Sequence, residues 1–221
     1  MKTLVSFPSI TVSEFEEACQ AINTRFDLCG HLQNDWSRVD LVKQDVVHLR
    51  ITRILHQTTK RAHSNIDEAE DEVHEEDEEA LQSRSPSESG IRIEYQVFLS
   101  PIYRVPVLYL NLEDRRGVVP PTIESLYEQV IPEHFKAQVR DLGVIGGITM
   151  ADHPITNRPV FFVHPCNTAD ALRASLEETK ITADQYILLW IGIVGGCVGL
   201  QVPTAIAIAR TNGTHGKSNA S

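Results

Sequence analysis

The residues of this 221-residue chain best suited to chemistry are His164-Pro165-Cys166-Asn167-Thr168. Thr168 precedes Ala169, Asp170, Ala171 and Leu172, so it reads as a helix cap, with the thiol two residues upstream near the positive end of a helix. That position favours thiolate. An extended backbone across Pro165 points His164 and Cys166 the same way. A lone cysteine is often just a small buried hydrophobe, but polar neighbours and a place in a loop before a helix weigh against that here. Two chemistries fit. A cysteine hydrolase needs a base, His164 or His153, and an orienter, Asn157 or Asp170. An acyl carrier needs an exposed thiol, a surface for its partners and donors for a tetrahedral oxyanion. The residues by themselves leave both open.

The other cysteines are less promising. Cys19 shares an apolar helix face with Phe15, Ala18, Ile22 and Phe26 and reads as core; Cys29 receives no role. No C-x-x-C pair occurs, so neither a zinc site nor a thioredoxin-like site is expected. The N-terminus has no long apolar stretch of the signal-peptide kind, which points to a reducing compartment, the cytoplasm.

The elements that must position the thiol follow from periodicity. Ser13-Glu14-Phe15-Glu16 reads as a capping box opening the first helix. Residues 46–55 alternate with period two, as do 91–99 and 104–112, and the last two read as an antiparallel hairpin around Ser100-Pro101. Thr122 caps a helix expected to run to about Ile131. The stretch 141–148 is turn-rich and 159–163 is a short apolar run, neither typed. Two helices follow, one from Thr168 and one from the capping box Thr182-x-x-Gln185. This order is α+β in a single domain, not the regular alternation of a parallel-sheet fold.

The net charge of −10 misleads. Ten of the thirty acids fall in residues 67–79, with no base among them, and removing them leaves 20 acids against 20 bases. The body is balanced, which argues against a nucleic-acid binder. The acidic stretch belongs to 57–90, expected to be a disordered insertion, and 210–221 to be a flexible tail. Residues 187–209 are apolar except for Gln201, Pro203 and Thr204, so a tail anchor must be weighed. Gly195-Gly196 and Pro203 argue instead for a helix, a turn and a second element.

Four stretches resemble the autophagy E2-like conjugating enzymes: residues 94–100 with 103–109, then 148–154, then 158–166 ending in His-Pro-Cys, then 186–203. They follow in matching order over about residues 91 to 206. The resemblance implies an E2-like fold with a mainly antiparallel sheet flanked by helices. It also implies that Cys166 accepts a ubiquitin-like modifier, autophagy-related protein twelve, from an E1-like activator, autophagy-related protein seven, and passes it to a lysine of autophagy-related protein five. The related lipid-conjugated modifier is a further candidate partner. No metal or nucleotide of its own is implied, nor stable insertion into a membrane, since the apolar run becomes a core helix and return segment. Ubiquitin E2 enzymes carry His-Pro-Asn ahead of the cysteine; here Cys166 takes the third place, so the oxyanion donor lies elsewhere. Backbone N–H groups at Thr168 are the first candidates, and Asn111 and Tyr95, then Tyr103 and Tyr109, the weaker ones. His164 and Pro165 are read as fixing the thiol loop.

Overall fold

The computed structural model describes residues 3–56, 90–114, 117, 119–136, 147–176 and 180–209. The bulk of the acidic insertion and the C-terminal tail lie outside them. Helix α1 (Val12–Cys29) begins at Thr11, not at Ser13: Thr11 is the residue with extended backbone, its hydroxyl accepts from the Glu14 N–H, and the Glu14 carboxylate accepts from the Thr11 N–H. Glu14 belongs to a capping box two residues earlier than the pattern proposed, because Val12 and Ser13 already occupy the first turn. Cys19 is fully buried on this helix, as its neighbours implied.

Six antiparallel strands follow: β1 (Arg38–Lys43), β2 (Val47–Leu55), β3 (Ile91–Leu99), β4 (Pro106–Asp114), β5 (Ile148–Asp152) and β6 (Pro159–Val163), in spatial order β1-β2-β3-β4-β6-β5. The expected β3–β4 hairpin pairs Tyr95 with Leu110 and Phe98 with Val107. Leu55 pairs with Ile91, so β2 and β3 close the base of the insertion as a second hairpin. Gly90 sits against this base, where a Cβ would lie 3.0 Å from the Leu55 carbonyl oxygen. The period-two pattern does not announce β1 and β5, which are short and carry few buried side chains.

Alternation sorts the sheet into two faces. Ile51, Tyr95, Leu110 and Phe161 share one row and join the main core with α1 and α4 (Ala183–Trp190). The opposite row carries Gln96, Tyr109 and Phe162. Beside it His48 stacks on Phe98 at 4.3 Å, and Phe98 meets His153 edge-on. His153 is fixed in one tautomer: Nδ1 accepts from the N–H groups of Ile155 and Thr156, so Nε2 carries the proton and donates to Gln96 Oε1. Burial lowers the pKa of both His48 and His153 from the ordinary value.

Helix α2 (Ile123–Gln129) opens at Thr122 as expected and stops two residues short of Ile131. After β6 come α3 (Thr168–Ala174) and α4, whose capping box at Thr182 and Gln185 is present. The apolar run then breaks as its glycines foretold. A π-helical turn covers Ile191–Gly195 and a 3₁₀ turn Gly196–Val198. Gly199 adopts a left-handed conformation, the Leu200 N–H bonds to the Gly195 carbonyl and the Gly199 N–H to that of Gly196, which is a Schellman stop. Pro203 starts the short helix α5 (Thr204–Ile208). Among the described residues no helix is long and apolar enough to cross a membrane.

This return segment leaves carbonyls outside any ladder, and side chains from the N-terminal half take them up. Tyr95 donates to Val198, Arg53 to Gly199, Trp36 Nε1 to Gln201 and Arg25 to both Ile206 and Ala207. Arg25 also pairs with Asp184 on α4, with both side chains almost wholly buried. Burial pushes the Asp184 carboxyl up, but hydrogen bonds from Thr182 and Arg25 outweigh it and hold the pKa below its ordinary value.

Asp184→Asn removes one charge of a buried pair and strands Arg25, so urea unfolding is expected to show a loss of about 3 kcal/mol; a loss below about 1 kcal/mol would contradict the clamp. The two histidines bind protons more weakly folded than unfolded. Their stabilisation is therefore full above their unfolded value, near pH 6.5, and declines as pH falls through the lower folded values. Urea midpoints are expected to drop between pH 7.5 and 5.5, and to drop less in His48→Phe, which keeps a ring against Phe98 without a titrating proton. An equal drop in that variant would acquit His48.

Candidate active site

Cys166 follows β6 by three residues and precedes α3 by two, in a turn that its neighbours hold rigid. The His164 N–H bonds to the Gly147 carbonyl just ahead of β5, tying the start of the turn to the sheet. Pro165 is buried, and its carbonyl accepts from the Thr168 N–H at 3.0 Å. The Cys166 N–H donates to His164 Nδ1 at 3.1 Å. His164 thus uses its Nδ1 lone pair on the backbone of the thiol's own residue, and that nitrogen is not available as a base. Of the four cysteines, Cys166 is the exposed one; Cys19 and Cys29 are buried and Cys197 is half-buried.

Thr168 proves to be the first residue of α3, buried, with Asn167 at the cap position and making no side-chain cap bond. The cap shifts by one because Thr168 already lies within the helix, while Asn167 ahead of it keeps near-helical angles of φ −101° and ψ 0°. The donor assignment shifts with it. The Thr168 N–H is committed to Pro165, whereas those of Asn167 and Ala169 have no acceptor among the described residues. The backbone next to the thiol therefore still offers donors, from neighbouring residues.

The two lower-ranked oxyanion candidates are not brought to the thiol. Tyr95 is fully buried and gives its hydroxyl proton to Val198 at 2.8 Å; burial pushes its pKa up to about 12. Asn111 is exposed on β4, but the register, with Leu110 opposite Phe161, sets it level with Val160. That is about four strand rises of 3.4 Å from the level of His164. Neither the sheet face nor the position along the strand could be assigned from hydropathy alone. Among the tyrosines, Tyr103 in the β3–β4 turn is the one that approaches, its ring edge-on to His164 at 5.9 Å.

The hydrolase constellation is not assembled either. His153 lies on the other face of the sheet from the core, bonded to Gln96. Asn157 occupies a left-handed turn position after β5, and Asp170 pairs with Arg173 at 2.7 Å. No described acid orients His164, and no described group bonds the Cys166 sulfur. Among the described residues no cluster of His, Cys, Asp and Glu forms a metal-ligand set.

Cys166 opens onto a cleft of about 390 Å³ whose far wall comes from the π-helical turn, through Ile193 and Val194, and from Cys197. Burial raises the Cys197 pKa, and its Sγ donates to the Val194 carbonyl, so this thiol is held as wall. Sequence reasoning placed the apolar run beside the thiol only through the resemblance. The signal within the residues was Gly195-Gly196: a Cβ on Gly195 would lie 2.5 Å from the Leu200 carbonyl oxygen, so only glycine lets the chain fold back here.

Residues 14–205 match the family model described as autophagocytosis associated protein, active-site domain. A ubiquitin-like-conjugating enzyme ATG10 of Gibberella zeae is 31% identical over 240 residues, covering 93% of this chain and 99% of the relative. The chain belongs to this family of E2-like enzymes. The ATG10 of Homo sapiens is 36% identical over 135 residues, 60% of each chain. The crystal structure of an autophagic E2, Atg10, superposes with a TM-score of 0.50 at 13% identity, covering 87% of this chain and 99% of that one. The fold of this E2-like enzyme is thus the one its sheet and flanking helices display, and its reaction class is ubiquitin-like conjugation in autophagy.

The Nδ1 acceptor of His164 separates two roles. His164→Asn keeps an oxygen where Nδ1 sits, and is expected to retain conjugation within a few-fold. His164→Ala loses the bond and slows acyl transfer about tenfold or more, as small displacements of a reacting atom do. Equal loss in both variants, measured in single-turnover transfer, would assign His164 to proton transfer instead.

Proposed function

We propose that Cys166 carries a ubiquitin-like modifier as a thioester and passes it to a lysine. The observation that supports this most directly is that the one exposed thiol lies on a backbone fixed by His164, Pro165 and Gly147 while none of the described residues bonds its sulfur as a base. The Cys166 thiolate attacks the carbonyl carbon of the activator's thioester, and the activator's thiolate leaves. The exchange replaces one thioester by another and is nearly neutral in energy, so it calls for positioning more than activation. In the second step a neutral lysine amine attacks the same carbon, its proton goes to solvent, the isopeptide bond forms and the Cys166 thiolate leaves. The oxyanion of each step takes the free N–H groups of Asn167 and Ala169.

On the family likeness, the activator is autophagy-related protein seven, the modifier autophagy-related protein twelve and the acceptor autophagy-related protein five. A reduced compartment, the cytoplasm, suits a thiol that must stay free between cycles. With activator, modifier and ATP, non-reducing gels are expected to show a thiol-labile adduct that Cys166→Ala abolishes and Cys166→Ser converts to a thiol-resistant oxyester. An adduct that persists in Cys166→Ala, or that requires Cys197, would overturn the assignment.

A further inference from the structure

The cleft beside Cys166 is larger than the proposed acyl group needs. On the family likeness the modifier is joined through a C-terminal glycine, which brings no side chain to the thioester, yet the cleft holds about 390 Å³, within the range of ligand pockets. Its apolar lining comes from Val163 of β6, Ala171 of α3, and Ile193 and Val194 of the π-helical turn. Ile193 and Val194 are only half-buried, although they belong to a segment that is otherwise core. The turn itself points them there, because its wider winding departs from the helical spacing that put Tyr186, Ile187, Trp190 and Ile191 inside.

We infer that this cleft is a subsite for a bulky apolar side chain on the residue that precedes the acyl glycine. The inference rests on the thioester reading above. Once the glycine carbonyl is bonded to Sγ, the preceding residue is tethered one Cα step, about 3.8 Å, beyond the glycine, within reach of the walls. The acceptor lysine fits the cleft less well. Among the described residues the lining holds His164, Cys166 and Cys197 as its titratable groups and no carboxylate, so it offers an approaching ammonium no counter-charge. An apolar side chain loses nothing on entering and covers Ile193 and Val194. The cleft thereby reads the modifier's tail at the point where the acyl group changes hands.

The test uses the full chain and synthetic thioesters of acetyl-Xaa-Gly with mercaptoethanesulfonate, where Xaa is Gly, Ala, Leu or Phe. Cys166 attacks the glycine carbonyl, mercaptoethanesulfonate leaves as thiolate, and intact mass reports the acyl adduct, with Cys166→Ala correcting for other thiols. Acylation is expected to rise from Gly to Leu and Phe by about tenfold or more. Ala171→Leu, which fills the cleft, and Ile193→Ala, which strips its wall, should each pull the Phe-to-Gly ratio toward one, and having both keeps the test alive if one variant misfolds. Equal rates for all four thioesters overturn the subsite. So does a Phe-to-Gly ratio left unchanged by both variants, and if Ile193→Ala then slows aminolysis by lysine amide, the cleft is an acceptor channel instead. Loading of modifier from charged activator is followed in parallel: a preserved side-chain preference without that loading sustains the subsite and refutes the proposed acyl source.

Discussion

A chain that turns back through its own core must find partners for carbonyls that no helix or strand ladder serves, and this requirement governs the structure from residue 195 onward. Each orphan carbonyl left in an apolar interior costs on the order of 1–3 kcal/mol. Tyr95, Arg53, Trp36 and Arg25 meet it with hydrogen bonds delivered from α1, the segment before β1, and the first strands of the sheet. The return segment is thereby fixed to the N-terminal half by polar contacts inside an apolar setting, which specify one arrangement where hydrophobic packing alone would accept several.

The thiol inherits its surroundings from that arrangement. The wall opposite Cys166 is the π-helical turn, whose exit is set by the Schellman stop at Gly199, whose carbonyl is in turn held by Arg53. On the near side, the Gly147 carbonyl ahead of β5 holds the His164 N–H, and the Pro165 carbonyl holds that of Thr168 at the start of α3. Two rigid bodies, sheet end and return turn, thus face one another across the sulfur. Neither contributes an acid or base to it. On the proposed thioester reading, the chemistry is left to the acyl group's own reactivity and to backbone N–H donors, which suits a first step that exchanges one thioester for another at near-equal free energy.

Much of this was legible in the residues. The long alternations gave β2, β3 and β4, the Thr182 and Gln185 box gave the start of α4, and the glycines and Pro203 gave the break in the apolar run. Capping positions slipped by one or two residues, at Thr11 and Asn167, because several adjacent polar side chains are chemically able to cap; the extended backbone chooses Thr11, while Asn167 holds its place with no side-chain cap bond. The placement of Tyr95 and Asn111 was not legible. Strand alternation gives a side chain's parity, but which parity faces the helices, and how far along the strand the thiol loop sits, depend on the β4–β6 register, a pairing between segments about a quarter of the chain apart. The Nδ1 contact of His164 was equally invisible, since spacing puts it near the thiol without saying which atom it serves.

The pairing of Leu55 with Ile91 has a consequence for how the chain tolerates change. The stems of the connection between them meet on one rung of the sheet, and closing a flexible loop on such a rung costs only about 0.6 kcal/mol more for each doubling of its length. The rung lies on β2 and β3, at the opposite end of the β3–β4 hairpin from the turn that carries Tyr103 beside the thiol loop. A graft or deletion spliced between these stems would alter what the molecule displays at one pole while the reactive pole keeps its geometry, which makes this rung the natural seam of the fold.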